Sequence, residues 1–180
     1  GLMSEGWVFG GGGLGGIAWE TGVLAGLADE GVTIAPDATI IGTSAGSTVA
    51  AQVAGGTPIA QLYDRQLAGV DYEISKSFGV GKLLAFLSNS LFSRSAEEAG
   101  RKMGRSALAA KTGPAAERLA VIGARLPVHE WTAVDLWIVT VDAQTGQSRI
   151  IRRDDGIALV DAVAASCAIP MVWPPVVLEG

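Results

Sequence analysis

The stretch Ile40-Ile41-Gly42-Thr43-Ser44-Ala45-Gly46-Ser47 (IIGTSAGS) sets a serine between two glycines at the end of a short apolar run. Thr39-Ile40-Ile41 reads as a strand, and the small residues from Ala45 to Ala54 read as a helix. A serine at such a junction occupies a sharp, strained turn. Side chains two positions before and after it would collide across the turn, and Gly42 and Gly46 remove that collision. The hydroxyl then stands clear of its surroundings, with the dipole and free N–H groups of the following helix aimed at the same place. This frame suits a nucleophile, which needs exposure, a base and oxyanion donors to attack an ester. The plainer alternative is a Gly/Ser-rich turn without chemistry.

Working outward, Trp7-Val8-Phe9 predicts a strand that runs into Gly10 to Gly16 (GGGGLGG). Consecutive glycines can turn several N–H groups toward one point, as a developing oxyanion requires. A dinucleotide site is the rival reading, because Gly11-x-Gly13-x-x-Gly16 opens a helix. That fingerprint also needs an acid at the end of the next strand to hold a ribose, and Ile41-Gly42-Thr43-Ser44 has none. The helix after the glycines places Ile17, Thr21, Leu24, Leu27 and Ala28 on one face and leaves Glu20, Asp29 and Glu30 off it, with Gly31 as its stop.

Further along, Pro58 starts a helix through Leu67, residues 69–81 read as a loop and 82–88 as a short helix. Two more helices are predicted over 96–110 and 114–122, broken at Gly113-Pro114. Leu136 to Val141 is a strand, Gln144-Thr145-Gly146 a turn, and Ser148 to Ile151 the returning arm of a hairpin. Asp154-Asp155-Gly156 turns again, and a helix over 158–165 ends at Ile169-Pro170. Strands alternating with helices predict an α/β fold, a three-layer sandwich around a largely parallel central sheet, in one domain over 1–180.

Composition narrows the function. The formal net charge is -5 and no Lys/Arg cluster occurs, which argues against nucleic-acid binding and against electrostatic anchoring on an anionic membrane. Cys167 is the sole cysteine, so no intrachain disulfide forms; a reducing, cytoplasmic setting is expected. The uncharged run from Ala38 to Tyr63 holds four Gly, one Pro and two Gln, and reads as strand, turn and helix instead of a membrane span. No His/Cys/Asp/Glu set has metal-ligand spacing, and nothing calls for a cofactor.

Taken together, GGGLGG (Gly11 to Gly16), GVLAGL (Gly22 to Leu27), GTSAG (Gly42 to Gly46) and AASCAIPMVWPPV (Ala164 to Val176) resemble the patatin-like phospholipases, the lipid acyl hydrolases. The resemblance implies a Ser-Asp dyad without histidine, with Ser44 as nucleophile and Gly11, Gly12 and Gly13 as the oxyanion-hole glycines. It implies a lipid or acyl-ester substrate and a peripheral contact with a membrane surface; it leaves the oligomeric state open. The family's aspartate lies in an Asp-Gly-Gly or Asp-Gly-Ala motif shortly after the Pro-Pro-Val block, and the chain reaches Leu178-Glu179-Gly180 without one. The aspartate is therefore expected beyond Gly180, in a C-terminal part that this stretch lacks. An inactive lipid-binding or regulatory module is the alternative. Gly15 stands where many members carry Arg or Lys, and Met171 where a small residue is common.

The remaining chemical candidates have plainer readings. His129, the single histidine, could complete a Ser-Asp-His order with Asp64 or Asp71, but LPVHEW looks like a loop entering a strand. Asp142 ends a strand yet begins good turn chemistry. Asp155 precedes the Pro-Pro-Val block and is followed by Gly156-Ile157, not by the family's motif. Asp161 reads as a helix cap or solvated residue, Cys167 as a small buried thiol, and Trp173-Pro174-Pro175 as a rigid turn or the border of an acyl pocket.

Overall fold

A computed structural model describes residues 5–69, 88 and 93–178. Its four strands are β1 (Gly6–Phe9), β2 (Thr39–Thr43), β3 (Asp135–Val141) and β4 (Ser148–Ile151), in that order across one sheet. β1 pairs β2 and β2 pairs β3 in parallel, while β4 returns antiparallel to β3. The sheet is thus largely parallel with one hairpin, as the alternation of elements predicts, and helices flank it on both sides.

The helices are α1 (Gly13–Asp29), α2 (Ala45–Ala54), α3 (Ile59–Leu67), α4 (Ala96–Ala109), α5 (Ala115–Arg125) and α6 (Leu159–Ser166). Local chemistry sets their ends. Gly31 closes α1 at φ 79, with its N–H on the Ala28 carbonyl and the Val32 N–H on that of Leu27. Ser95 caps α4 by accepting the Glu98 N–H at 3.1 Å. Arg153–Asp155 forms a single 3-10 turn that Gly156 ends at φ 74. The expected loop over 69–81 and helix over 82–88 lie outside the described residues, apart from Gly69 and Ser88.

The two faces of the sheet differ. Phe9, Ile40, Leu136, Ile138 and Ile151 point one way and are buried. They form the core with Val49, Ala50 and Ala51 of α2 and with Leu159, Ala162 and Val163 of α6. The small side chains of α2 let it lie against β1, β2 and β3 at once; α6 packs on β3 and α2, and α5 packs on α6. The other face is less covered: Val8 is 75% and Val141 58% exposed. One expectation fails inside α1. Its buried residues are Ile17, Glu20, Thr21 and Leu24, so Glu20 lies within the packed face and Ala28 outside it. Glu20 precedes Thr21 by one residue, and the inward arc is wide enough to include it.

Ile138 has no exposed surface. Ile138→Ala is expected to cost about 2–5 kcal/mol by chemical denaturation, through lost burial and a residual cavity. Val8→Ala, on the open face, is expected to stay within about 0.5 kcal/mol of wild type.

Candidate active site

Ser44 sits between β2 and α2 with φ 54 and ψ -117, a left-handed backbone that a non-glycine residue rarely adopts. The flanking glycines are required by space. A Cβ on Gly42 would lie 2.6 Å from Ser47 Cα. On Gly46 it would overlap the Phe9 carbonyl and lie 2.6 Å from the Gly10 oxygen. The Gly46 N–H instead donates to the Gly10 carbonyl at 2.8 Å, which ties the start of α2 to the glycine loop.

The backbone of Ser44 is held on both sides. Its N–H donates to Ser166 Oγ at 2.8 Å, and that hydroxyl donates to the Val139 carbonyl at 2.6 Å. The Ser44 carbonyl accepts from Ser47 Oγ at 2.7 Å, from the Ser47 N–H at 2.9 Å and from Cys167 Sγ at 3.2 Å. Ser166 thus bridges β3 and the serine turn, while the buried Cys167 thiol packs beneath that turn. The sequence reading identified Cys167 as a buried thiol but did not single out Ser166. The only signal for it was the small-residue block AASCAIP. The Ser44 N–H is thus already bonded.

The glycine loop lies within reach. A Cβ added to Gly11 would be 3.8 Å from Ser44 Cβ, so that loop borders the serine directly. Gly12 at φ 155 and Gly13 at φ 61 lead into α1 in conformations that favour glycine. Among the described residues, the N–H groups of Gly11, Gly12, Gly13 and Ala45 make no hydrogen bond, nor does the Ser44 hydroxyl. A buried acid lies on α1: burial pushes the Glu20 carboxyl above the usual glutamate range.

The other candidates are engaged elsewhere. Exposed His129 donates through Nε2 to the Gly123 carbonyl at 2.7 Å, capping the last turn of α5. The described structure thus gives no support to the triad; Asp64 lies exposed on α3 and Asp71 lies outside the described residues. Asp142 accepts the Gln144 and Thr145 N–H groups at 2.8 Å, which hold its carboxyl below the usual range, so it serves the hairpin turn. Asp155 accepts the Arg152 N–H at 2.7 Å within the 3-10 turn, and Asp161 lies in the first turn of α6. Met171 is buried with φ 65, a strained position for a side chain. No group of three His, Cys, Asp or Glu among the described residues could hold a metal ion, and none of the described helices is long and apolar enough to cross a membrane.

The chain belongs to the patatin-like phospholipases, whose family model matches residues 7–180. The crystal structure of the type III effector protein ExoU is similar, at a TM-score of 0.44 and 19% identity over 93% of this chain. This chain spans 40% of that protein's chain. No curated protein matches the sequence significantly.

Ser166→Ala removes the acceptor of the Ser44 N–H and the donor to Val139. A stability loss of about 1–3 kcal/mol is expected on urea denaturation, because both groups are left unpaired in a partly buried setting. Ser166→Thr keeps the hydroxyl and should recover a large part of it.

Proposed function

We propose that the protein is a serine acyl hydrolase that cleaves carboxylic esters of lipids, with Ser44 as nucleophile. Family membership supports lipid acyl hydrolysis as the general chemistry. The observation that carries the finer reading is the state of Ser44: its backbone is strained and bonded on both sides, while its hydroxyl is left unbonded beside Gly11. In this reading Ser44 Oγ attacks the acyl carbonyl and its proton passes to a base. The carbonyl oxygen becomes an oxyanion, held by N–H groups of Gly11, Gly12 and Gly13 and by that of Ala45 at the start of α2. Collapse expels the alcohol with the proton, and water then releases the fatty acid from the acyl-enzyme.

The base we assign is an aspartate, as the family's Ser-Asp dyad implies, and we place it outside the described residues. Asp135, Asp142 and Asp155 bond turn or strand partners instead. A peripheral membrane contact would bring in the lipid.

The test is turnover of a p-nitrophenyl ester together with covalent labelling by a fluorophosphonate. Ser44→Ala should abolish both while the far-ultraviolet circular dichroism is unchanged; full turnover in that variant removes Ser44 from the mechanism. An unlabelled wild-type chain would favour a lipid-binding module without catalysis. His129→Gln should hold kcat/KM within about threefold, whereas loss of a triad base costs on the order of 1,000-fold or more.

A further inference from the structure

We propose that Ser166 is a positioning residue whose hydroxyl sets the direction of the Ser44 side chain. Its consequence for turnover rests on the acyl-hydrolase reading above; its consequence for the Ser44 backbone does not. The Ser44 N–H donates to Ser166 Oγ at 2.8 Å, and Ser166 Oγ donates to the Val139 carbonyl at 2.6 Å. The direction of both bonds is forced, because an N–H offers no lone pair and a carbonyl no proton. β2 and β3 pair in parallel as far as Thr43 and Val139. The hydroxyl therefore stands between the first N–H past the end of β2 and a carbonyl of β3, where a direct bond would carry the ladder on. It acts as a spacer that satisfies both groups and keeps the serine turn off β3.

The Cα–Cβ bond of Ser44 takes its direction from the two rigid peptides that flank its Cα. Ser166 holds the first, Thr43–Ser44, through its N–H. The second, Ser44–Ala45, is held through the Ser44 carbonyl by Cys167 Sγ at 3.2 Å and by the hydroxyl and N–H of Ser47. Two successive residues at the end of α6 thus grip both sides of one serine. That end is well anchored: Ala162, Val163 and Ala164 have no exposed surface, and the Cys167 N–H bonds the Val163 carbonyl at 2.9 Å. Ser44 needs such a grip, because φ 54 is not a conformation that it keeps unaided. Without the Ser166 hydroxyl, the Ser44 N–H and the Val139 carbonyl are both left unpaired, and the turn relaxes toward a direct bond between them. The Thr43–Ser44 peptide then rotates and shifts the Ser44 hydroxyl relative to Gly11, on which an added Cβ would lie 3.8 Å from Ser44 Cβ. A misplacement of about 1 Å is enough to slow a positioned reaction on the order of 100-fold.

Two measurements on wild type, Ser166→Ala, Ser166→Thr and Leu62→Ala decide the proposal: p-nitrophenyl ester turnover, and amide hydrogen exchange at Ser44 and Val49 by NMR. Leu62 is buried on α3, which packs on α1, so Leu62→Ala is a variant destabilised through the core. Ser166→Ala should lower kcat by about 10- to 100-fold with KM within about twofold. Leu62→Ala, assayed where it is folded, should keep kcat within about twofold, as expected of a site independent of the turn. Exchange at the Ser44 N–H should speed up about tenfold in Ser166→Ala, while Val49 inside α2 keeps its protection. Ser166→Thr keeps the hydroxyl and should restore most of both. If Ser166→Ala fails to fold, Ser166→Cys, whose thiol is a weak donor and acceptor, takes its place with the same expectations. A kcat in Ser166→Ala no lower than in Leu62→Ala overturns the proposal, as does unchanged exchange at Ser44 or a Thr variant as impaired as the Ala one. If exchange responds while wild type neither turns over ester nor labels with a fluorophosphonate, the acyl-hydrolase reading fails and the hold of Ser166 on the Ser44 backbone stands.

Discussion

The backbone of α2 meets the backbone of β1 with no side chain between them. Gly46 lies against the Phe9 carbonyl and donates its N–H to the Gly10 oxygen at 2.8 Å. A single added carbon at Gly46 or Gly42 would force the helix away from the strand ends. The chain leaving β2 has to turn into α2 within one residue, and that residue, Ser44, takes up the turn at φ 54. From the same contact follow the proximity of the glycine loop to Ser44 and the direct packing of α2 on three strands.

A left-handed serine costs on the order of 1–3 kcal/mol, and it persists only where its surroundings over-determine it. They do so here. Ser166 takes the N–H, and Ser47 and Cys167 serve the carbonyl. Each bond contributes roughly 1 kcal/mol net, so together they match the strain. The arrangement also divides labour among the donors. The Ser44 N–H is consumed in holding the turn, while the Ala45 N–H makes no hydrogen bond among the described residues.

The elements behind this site are buried more deeply than the glycine loop. Val49 and Ala50 of α2 and Ala162 and Val163 of α6 have no exposed surface, and their small side chains allow close approach of the two helices to the sheet. The glycine loop lacks such packing and is exposed. The one hydrogen bond it receives from a helix start is that of the Gly46 N–H of α2 on the Gly10 carbonyl, among the described residues.

Much of this was legible in local pattern. Short apolar runs mark β2 and β3, small residues mark α2, and the spacing of Gly42, Ser44 and Gly46 marks the turn, because each depends on neighbours a few residues apart. Asp142 was legible as a turn residue for the same reason. Tertiary structure alone decided the distant partners of Ser44, Ser166 and Cys167. Ser166 meets it across 122 positions of chain, and no short-range period connects them. It also decided Glu20, which a helical period places beside the apolar face and which the packing of α1 brings inside. A sequence period gives the direction in which a side chain leaves its helix. Whether that side chain ends up buried depends on what distant parts of the chain pack against the helix, which no local period encodes.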